Sequence, residues 1–234
     1  MSKQIFIVGT GTDVGKTYVT GLIVKKLRDA GLDAGYFKAA VSGNVRANGR
    51  LIPGDAKFVA DMAGLTDDFH EMVPYIYENA VSPHLASRLE GNPVEMDVVK
   101  TYYENICRKH EYVTVEGSGG ILCPLCVDER TIMLEDVVRE LDLDSILVAR
   151  AGLGTINEVV LTVSYMEQRG MRVRGIVLNH FHPGDVMEED NWNMVEAMTG
   201  VPVIACVQDG DTELRMDVKV LEGFYREAGC STSN

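Results

Sequence analysis

Short runs of apolar residues alternate along the chain with longer stretches in which apolar residues recur every three or four positions. The short runs are rich in Val and Ile and apolar on both faces, as buried parallel strands are, whereas the longer stretches have the periodicity of helices. The predicted strands are Ile5–Gly9, Ala34–Lys38, Tyr112–Val115, Ser145–Val148, Val173–Leu178 and Val203–Cys206. The predicted helices are Lys16–Ala30, Asp55–Ala63, Val94–His110, Leu134–Leu141, Ile156–Arg169 and Asn191–Met198.

This alternation predicts an α/β fold with a mostly parallel, doubly wound sheet and helices on both faces. No low-complexity tract or linker divides the 234 residues, so we expect one domain over residues 1–234 and disorder only in the tail from Cys230 to Asn234. Ligands of such sheets bind at the carboxyl ends of the strands. The loops that follow the strands are therefore where functional residues are expected.

Charge and composition narrow the classes of partner. A formal net charge of -13 argues against a broad nucleic-acid surface, which requires clustered Lys and Arg. No apolar run approaches the length of about 20 residues that a membrane helix requires, so we expect no membrane attachment. The five cysteines are an odd number in a chain that needs no disulfides, which favours reduced thiols in the cytoplasm.

The strongest motif follows the first predicted strand. It reads Gly9-Thr10-Gly11-Thr12-Asp13-Val14-Gly15-Lys16-Thr17 and leads into a helix, which is the context of a phosphate-binding loop, although it is one residue longer than the common form. Its backbone N–H groups and the helix N-terminus favour an anion. Lys16 would contact the β- and γ-phosphates, and Thr17 would bind Mg²⁺. This motif predicts a P-loop nucleotide-binding protein.

Three charged residues stand near other strand ends. Lys38 ends the second predicted strand, Asp55 follows Pro53-Gly54, and Glu116 follows the apolar run Tyr112–Val115. Asp55 is read either as a helix N-cap or as a magnesium ligand. An acid in the place of Glu116 is costly to bury unless it is paired or binds a metal, so we interpret it as a magnesium ligand.

These residues resemble the dethiobiotin synthetase family. The family's G-T-D-T-x-V-G-K-T, K-P-x-x-S-G and E-G-A-G-G segments have counterparts here in residues 9–17, 38–43 and 116–120. Ser82-Pro83-His84 and Glu90-Gly91-Asn92-Pro93 also match family stretches, and the spacing of the charged positions fits throughout. Gly11, Ala39 and Ser118 depart from the usual Asp, Pro and Ala, and none of the three changes removes a charged catalytic group.

The resemblance implies a P-loop fold and an ATP- and Mg²⁺-dependent enzyme of biotin biosynthesis. The implied reaction adds CO₂ to one amine of 7,8-diaminononanoate, phosphorylates the resulting carbamate with ATP, and closes the ureido ring of dethiobiotin when the second amine expels phosphate. Because negative charge develops in each step, the site needs fixed cations more than a strong base. Lys16 and Lys38 are the implied catalytic residues.

The resemblance also implies binding residues. Thr17, Asp55 and Glu116 would hold the metal. The implied nucleotide contacts are Thr12, Asp13, Val14, Gly15, Lys16, Thr17, Tyr18, Asp55, Glu116 and Asn179, although His180 follows Asn179 where an Asp is frequent. The implied substrate contacts are Thr12, Ser42, Gly119, Gly154, Thr155 and Asn157. Family members are homodimers in which the substrate tail reaches the partner subunit, where the helix N-terminus at residues 154–157 would receive its carboxylate.

Other classes stay open at this point. A P-loop amide ligase acting on corrinoid carboxylates would share the metal site, but such enzymes usually carry a fused glutaminase domain. A partition-type ATPase would carry a second lysine at the position of Gly11. A nucleotide-binding protein without turnover would carry the same motifs.

Three further features are assigned no role in the reaction. Cys123 and Cys126 form a lone C-x-x-C pair, which is weak support for zinc. His180 and His182 are interpreted as part of a polar loop, and residues 188–190 as a solvated helix start.

Overall fold

The computed structural model describes residues 2–227 of the chain. Its strands are β1 (Lys3–Gly9), β2 (Ala34–Lys38), β3 (Ala40–Val41), β4 (Val45–Ala47), β5 (Arg50–Ile52), β6 (Tyr75–Ile76), β7 (Tyr112–Gly120), β8 (Pro124–Val127), β9 (Thr131–Met133), β10 (Ser145–Arg150), β11 (Val173–Asn179) and β12 (Val203–Val207). Its helices are α1 (Lys16–Asp29), α2 (Gly54–Ala63), α3 (Phe69–Met72), α4 (Pro83–Glu90), α5 (Met96–Lys109), α6 (Leu134–Glu140), α7 (Thr155–Gln168), α8 (Val186–Thr199) and α9 (Val218–Glu222).

The main sheet has the spatial order β12-β11-β10-β1-β7-β2, and every neighbouring pair in it is parallel. β1 lies inside the sheet, with the strands that follow it in sequence on one side and the last three strands on the other. Because crossovers between parallel strands are right-handed, this reversal places helices on both faces of the sheet. The prediction of a doubly wound α/β fold is therefore confirmed.

The strands are buried on both faces, as their apolar composition predicts. All five residues of β2 are buried, and so are the first seven of β7. A buried parallel strand normally carries apolar residues alone. Lys38 in β2 and Glu116 in β7 break that rule, because both are charged and both are almost fully buried.

The end of β7 differs from the sequence prediction. We expected the strand to end at Val115, but it continues to Gly120 and pairs with β1 and β2, so that Glu116 lies within the strand. The glycines allow this close approach, since a Cβ atom on Gly117 would lie 2.8 Å from Phe6 Cζ. Glu116 is consequently held opposite Lys38 by the sheet register itself.

Helix boundaries also move relative to the predictions. α8 begins at Val186 rather than Asn191, because the Asp185 side chain caps it by accepting the N–H groups of Met187 and Glu188. α3, α4 and α9 were not predicted, since they are short and carry little periodicity. The predicted tail beyond Cys230 lies outside the described residues. Between residues 2 and 227, none of the helices has the length and apolarity that crossing a membrane requires.

Candidate active site

The loop between β1 and α1 is shaped as an anion cradle. Gly15 precedes α1 with a φ of 92°, a left-handed conformation that glycine adopts without strain. No side chain among the described residues caps α1, and its first turn contains no acid, so the leading N–H groups stay open to a ligand. The helix dipole adds positive potential at the same point.

Lys16 crosses this loop. It is largely buried, and its Nζ donates to the Gly11 carbonyl oxygen at 2.7 Å. Burial, and next the nearby charge of Lys38, lowers the pKa of Lys16 to about 8. A phosphate placed on the loop would offset both effects, because its charge favours the ammonium form.

Two side chains at the ends of neighbouring strands donate hydrogen bonds to backbone carbonyl groups of the P-loop. Arg150, the last residue of β10, donates from its Nη2 to the Asp13 carbonyl oxygen at 2.7 Å. Asn179, the last residue of β11, donates from its Nδ2 to the Val14 carbonyl oxygen at 3.0 Å and is 2% exposed. A Cβ atom on Gly15 would lie 2.0 Å from that amide nitrogen. Asn179 therefore packs against the P-loop; contact with a base stays a prediction.

Beside the loop, Lys38 bridges two carboxylates. Its Nζ lies 2.6 Å from Asp55 Oδ2 and 2.7 Å from Glu116 Oε1. The Thr17 hydroxyl donates to the same Glu116 Oε1 at 2.7 Å. The three predicted metal ligands are thus brought together with the predicted catalytic lysine. Asp55 lies in the first turn of α2 and is not its N-cap, which is Pro53.

The charges around them shift the pKa values of Lys38 and Asp55. Burial alone would lower the pKa of Lys38, but the charges of Glu116 and Asp55 outweigh it, and the net shift is upward. Burial alone would raise the pKa of Asp55, but the charge and hydrogen bond of Lys38 outweigh it, and the net shift is downward. Lys38 is therefore held as an ammonium and Asp55 as a carboxylate.

A cavity of about 1100 Å³ opens over the P-loop and the cluster. Most of the predicted site residues line it: Thr12, Asp13, Gly15, Lys16, Thr17, Tyr18, Lys38, Ser42, Asp55, Glu116 and Gly119. Val14 of the P-loop is buried and does not line the cavity. Ser42 donates from its Oγ to the carbonyl oxygen of Val81, another lining residue, at 2.6 Å. The remaining predicted residues lie elsewhere.

Residues 154–157 begin α7 and do not line this cavity. Gly154 has a φ of 97°, and no side chain of the described part of the chain caps the helix. The Thr155 hydroxyl is buried and has no hydrogen-bond partner among the described residues. The Thr155 N–H donates to the Gly152 carbonyl oxygen, and Glu158 in the same first turn accepts from the Thr10 hydroxyl of the P-loop, so the remaining N–H groups of this helix end lie outside the cavity but next to the loop.

Cys123 and Cys126, the C-x-x-C pair, are not joined by a disulfide. Cys107, Cys123, Cys126 and Cys206, the cysteines in the described part of the chain, are all free thiols. Cys123 lines the cavity, whereas Cys126 is buried within β8. Between residues 2 and 227, no group of three or more His, Cys, Asp and Glu side chains is arranged to hold a metal ion.

The acidic start of α8 is less exposed to solvent than predicted. We expected residues 188–190 to be solvated, but Glu188 is buried and its Oε1 lies 3.0 Å from His182 Nδ1. That hydrogen bond raises the pKa of His182. His180, at a φ of 56°, pairs with Asp209 instead. The two histidines are held by separate carboxylates and share no ligand set.

Sequence reasoning missed three residues of the site. Tyr36 donates its hydroxyl to Glu116 Oε2, Arg150 holds the P-loop, and Phe58 lines the cavity. Tyr36 and Arg150 carried a usable signal, because the first lies two residues before Lys38 on the same face of β2 and the second ends a strand. Phe58 carried none beyond its helical position.

An uncapped helix end behind a glycine-rich turn, with an acid on the neighbouring strand, is the arrangement shared by P-loop nucleotide-binding proteins, and the chain is of that class. A family model described as an AAA domain matches residues 3–212. An ATP-dependent dethiobiotin synthetase of Brachyspira hyodysenteriae is 49% identical over 226 residues, which cover 96% of this chain and 100% of that protein. The chain belongs to the dethiobiotin synthetase family.

Further comparisons agree. A second ATP-dependent dethiobiotin synthetase, from Clostridium novyi, is 49% identical over 208 residues, covering 88% of this chain and 87% of that protein. Among solved structures, the MinC:MinD cell division complex of Aquifex aeolicus matches with a TM-score of 0.56 at 14% identity, covering 89% and 82% of the two chains. FtsY of Thermotoga maritima matches with a TM-score of 0.52 at 16% identity, covering 94% and 68%. At these identities the structural matches establish the fold alone.

Proposed function

We propose that the chain catalyses the ATP- and Mg²⁺-dependent carboxylation and ring closure of 7,8-diaminononanoate with CO₂ to dethiobiotin, releasing ADP and phosphate. The observation that carries the proposal is the position of Lys38, whose ammonium group lies between two acids at the edge of the cavity, next to the P-loop. The curated relatives are named for this synthesis. We propose that the whole chain is one such ligase domain and acts in the cytoplasm.

ATP would lie along the P-loop, with its phosphates on the open N–H groups of α1. Lys16 would exchange its bond to the Gly11 carbonyl for one to the β- and γ-phosphates. Thr12 and Asp13 line the same stretch of the cavity. Tyr18 would flank the nucleotide from the first turn of α1, and Asn179 would act close to the base while supporting the loop.

The oxygen donors of the cluster fit Mg²⁺. Asp55, Glu116 and the Thr17 hydroxyl are hard ligands, and Mg²⁺ is usually held by one or two carboxylates completed by phosphate oxygens and water. Lys38 offsets one of the two negative charges of these carboxylates, and the remaining negative charge favours a further cation. When bound, Mg²⁺ supplies charge stabilisation to the transferring phosphoryl group.

The chain's own cations would stabilise the reacting anions. One amine of the substrate attacks CO₂ and loses a proton to give a carbamate, whose negative charge Lys38 can contact. The carbamate oxygen attacks the γ-phosphorus of ATP and ADP leaves, while the Lys16 ammonium would stabilise the negative charge of the transferred phosphoryl group. The second amine then attacks the carbon of this mixed anhydride, expels phosphate and loses a proton, which closes the urea ring. Thr12, Ser42 and Gly119 line the cavity beside these lysines and would orient the diamine.

The carboxylate of the substrate tail requires a further anion site, because the P-loop, Lys16 and Lys38 of this cavity are assigned to the phosphates and the carbamate. We propose a homodimer in which Gly154, Thr155 and Asn157 of one protomer receive the carboxylate of a substrate bound on the other. The support is that, within residues 2–227, no side chain caps the start of α7 and the buried Thr155 hydroxyl has no hydrogen-bond partner. Nucleic acid and membrane have no part in this proposal.

The test is phosphate release from ATP, Mg²⁺ and bicarbonate, with and without 7,8-diaminononanoate, together with mass spectrometry for the cyclic urea. We expect release that depends on the diamine and matches dethiobiotin formed. Phosphate release at the same rate with and without the diamine would instead identify a switch ATPase. Diamine-dependent release with a different product would identify another ligase.

A further inference from the structure

Tyr36 is a polar residue in the middle of a fully buried strand. It is 1% exposed, and its hydroxyl donates to Glu116 Oε2 at 3.0 Å. Tyr36 pairs with Thr114 in the register of β2 and β7, so Glu116 is its diagonal neighbour on the same face. A buried hydroxyl is costly unless it is hydrogen-bonded, so its partner is part of the reason it is tolerated there.

The two oxygens of Glu116 have different surroundings. Oε1 accepts hydrogen bonds from the Thr17 hydroxyl and from Lys38 Nζ, both at 2.7 Å, and these two residues line the cavity. Oε2 accepts from Tyr36, which is inside the core. The carboxylate is therefore fixed with one oxygen toward the cavity and the other toward the core.

We propose that Tyr36 is a positioning residue that reserves Oε2 and leaves Oε1 alone to face nucleotide-bound Mg²⁺. The inference rests on the proposed function, because it takes Glu116 as a magnesium ligand. Mg²⁺ demands near-ideal octahedral geometry, which a carboxylate free to rotate or to bind through both oxygens disturbs. Residues that hydrogen-bond a metal ligand typically change metal affinity about 10–100-fold when they are replaced.

The test compares Tyr36→Phe with Tyr225→Phe. Both changes delete one buried phenol hydroxyl bonded to β7, but the Tyr225 hydroxyl lies 2.6 Å from Thr114 Oγ1, outside the cavity. The readout is binding of a fluorescent ADP analogue as Mg²⁺ is titrated, with thermal melting of each variant. We expect the Mg²⁺ concentration for half-maximal binding to rise about 10-fold in Tyr36→Phe and to stay at the wild-type value in Tyr225→Phe.

Glu116→Gln separates the role of Tyr36 from the proposed metal site itself. If this variant raises the Mg²⁺ requirement and Tyr36→Phe does not, the positioning role is overturned while the metal site stands. Equal rises in the two tyrosine variants also overturn it, since they would report general packing. If Glu116→Gln leaves the Mg²⁺ requirement unchanged, the proposed metal site itself is wrong, and the role of Tyr36 falls with it.

Discussion

Glu116 and Glu135 have the same kinds of partner in two different regions of the molecule. Both are buried, and each accepts hydrogen bonds from a tyrosine hydroxyl and from a basic side chain. Glu116 lies in β7, at the cavity. Glu135 lies in α6 and is bound by Tyr165 of α7 and by Arg169, just beyond the end of that helix.

The difference between the two sites lies in the cation and in its exposure. Arg169 binds Glu135 with two nitrogens, at 2.8 Å to Oε1 and 3.3 Å to Oε2, and its side chain is 48% exposed. Its planar fork satisfies one carboxylate, as in many ion pairs between helices. Lys38 is instead buried, a point charge shared by Glu116 and Asp55. Burial alone therefore does not distinguish the two acids; the enclosed cation that Glu116 shares with Asp55 beside a cavity does.

Lys38→Ala should give the largest effect in this comparison. Without the ammonium, Glu116 and Asp55 repel each other and the carbamate loses its cation, so we expect dethiobiotin formation to fall about 10³-fold. Binding of an ADP analogue should persist, because the P-loop is untouched. Steady-state product formation and calorimetric ADP binding measure the two. Lys57→Ala, which removes an exposed lysine paired with Asp61, is the matched control. Turnover at the wild-type rate in Lys38→Ala would remove Lys38 from the mechanism.

Glu116→Gln should follow in size. The amide keeps the shape of the side chain but removes the charge that Lys38 and the metal would share, so we expect kcat to fall about 10²-fold. The measurement is the rate of ATP-dependent product formation at saturating Mg²⁺. A loss confined to the Mg²⁺ requirement, with kcat restored at high Mg²⁺, would limit Glu116 to binding.

Glu135→Gln makes the same chemical change at the structural site. It weakens the link between α6 and α7 without touching the cavity, so we expect the Tm to fall by about 2–4 °C while kcat is unchanged. Thermal melting and the product assay on one preparation measure both. A fall in kcat as large as that of Glu116→Gln would show that the two regions are coupled. Glu135 could then not be separated from Glu116 as a purely structural acid.

Many residues that line the cavity could be predicted from the sequence, because they belong to a local motif or stand at the ends of predicted strands. The P-loop motif, the strand pattern and the position of Lys38 at a strand end together predicted Lys16, Thr17 and Glu116 at one edge of the sheet, where the structure brings them together. Strand periodicity is strong in buried parallel sheets, so the six strands of the main sheet were found. The predictable features were those encoded by neighbouring residues in the sequence, namely the P-loop motif and the strand pattern.

The remainder depends on contacts between distant segments. Tyr36 bonds to a residue 80 positions away, and Arg150 to a backbone oxygen 137 positions away. Neither partner follows from local pattern, because each depends on the strand order. The continuation of β7 past Val115 was missed for a related reason, since glycines weaken strand propensity unless a neighbouring backbone approaches closely.

The smallest effect expected is a pH dependence confined to Glu135. Hydrogen bonding from Arg169, against a smaller effect of burial, lowers the pKa of Glu135 in the folded chain. The unfolded state therefore takes up the proton first as the pH falls, so the stabilisation is complete above the ordinary carboxyl pKa of about 4.3 and is lost below it.

The Tm gap between wild type and Glu135→Gln should be constant from pH 7 to about pH 5 and then narrow. Melts of both proteins across that range measure it, and the acid sensitivity of the rest of the chain cancels in the difference. A gap that widens toward acid would mean that the pKa of Glu135 is raised by burial, and the contrast with Glu116 would then lie in solvation rather than in the geometry of the cation.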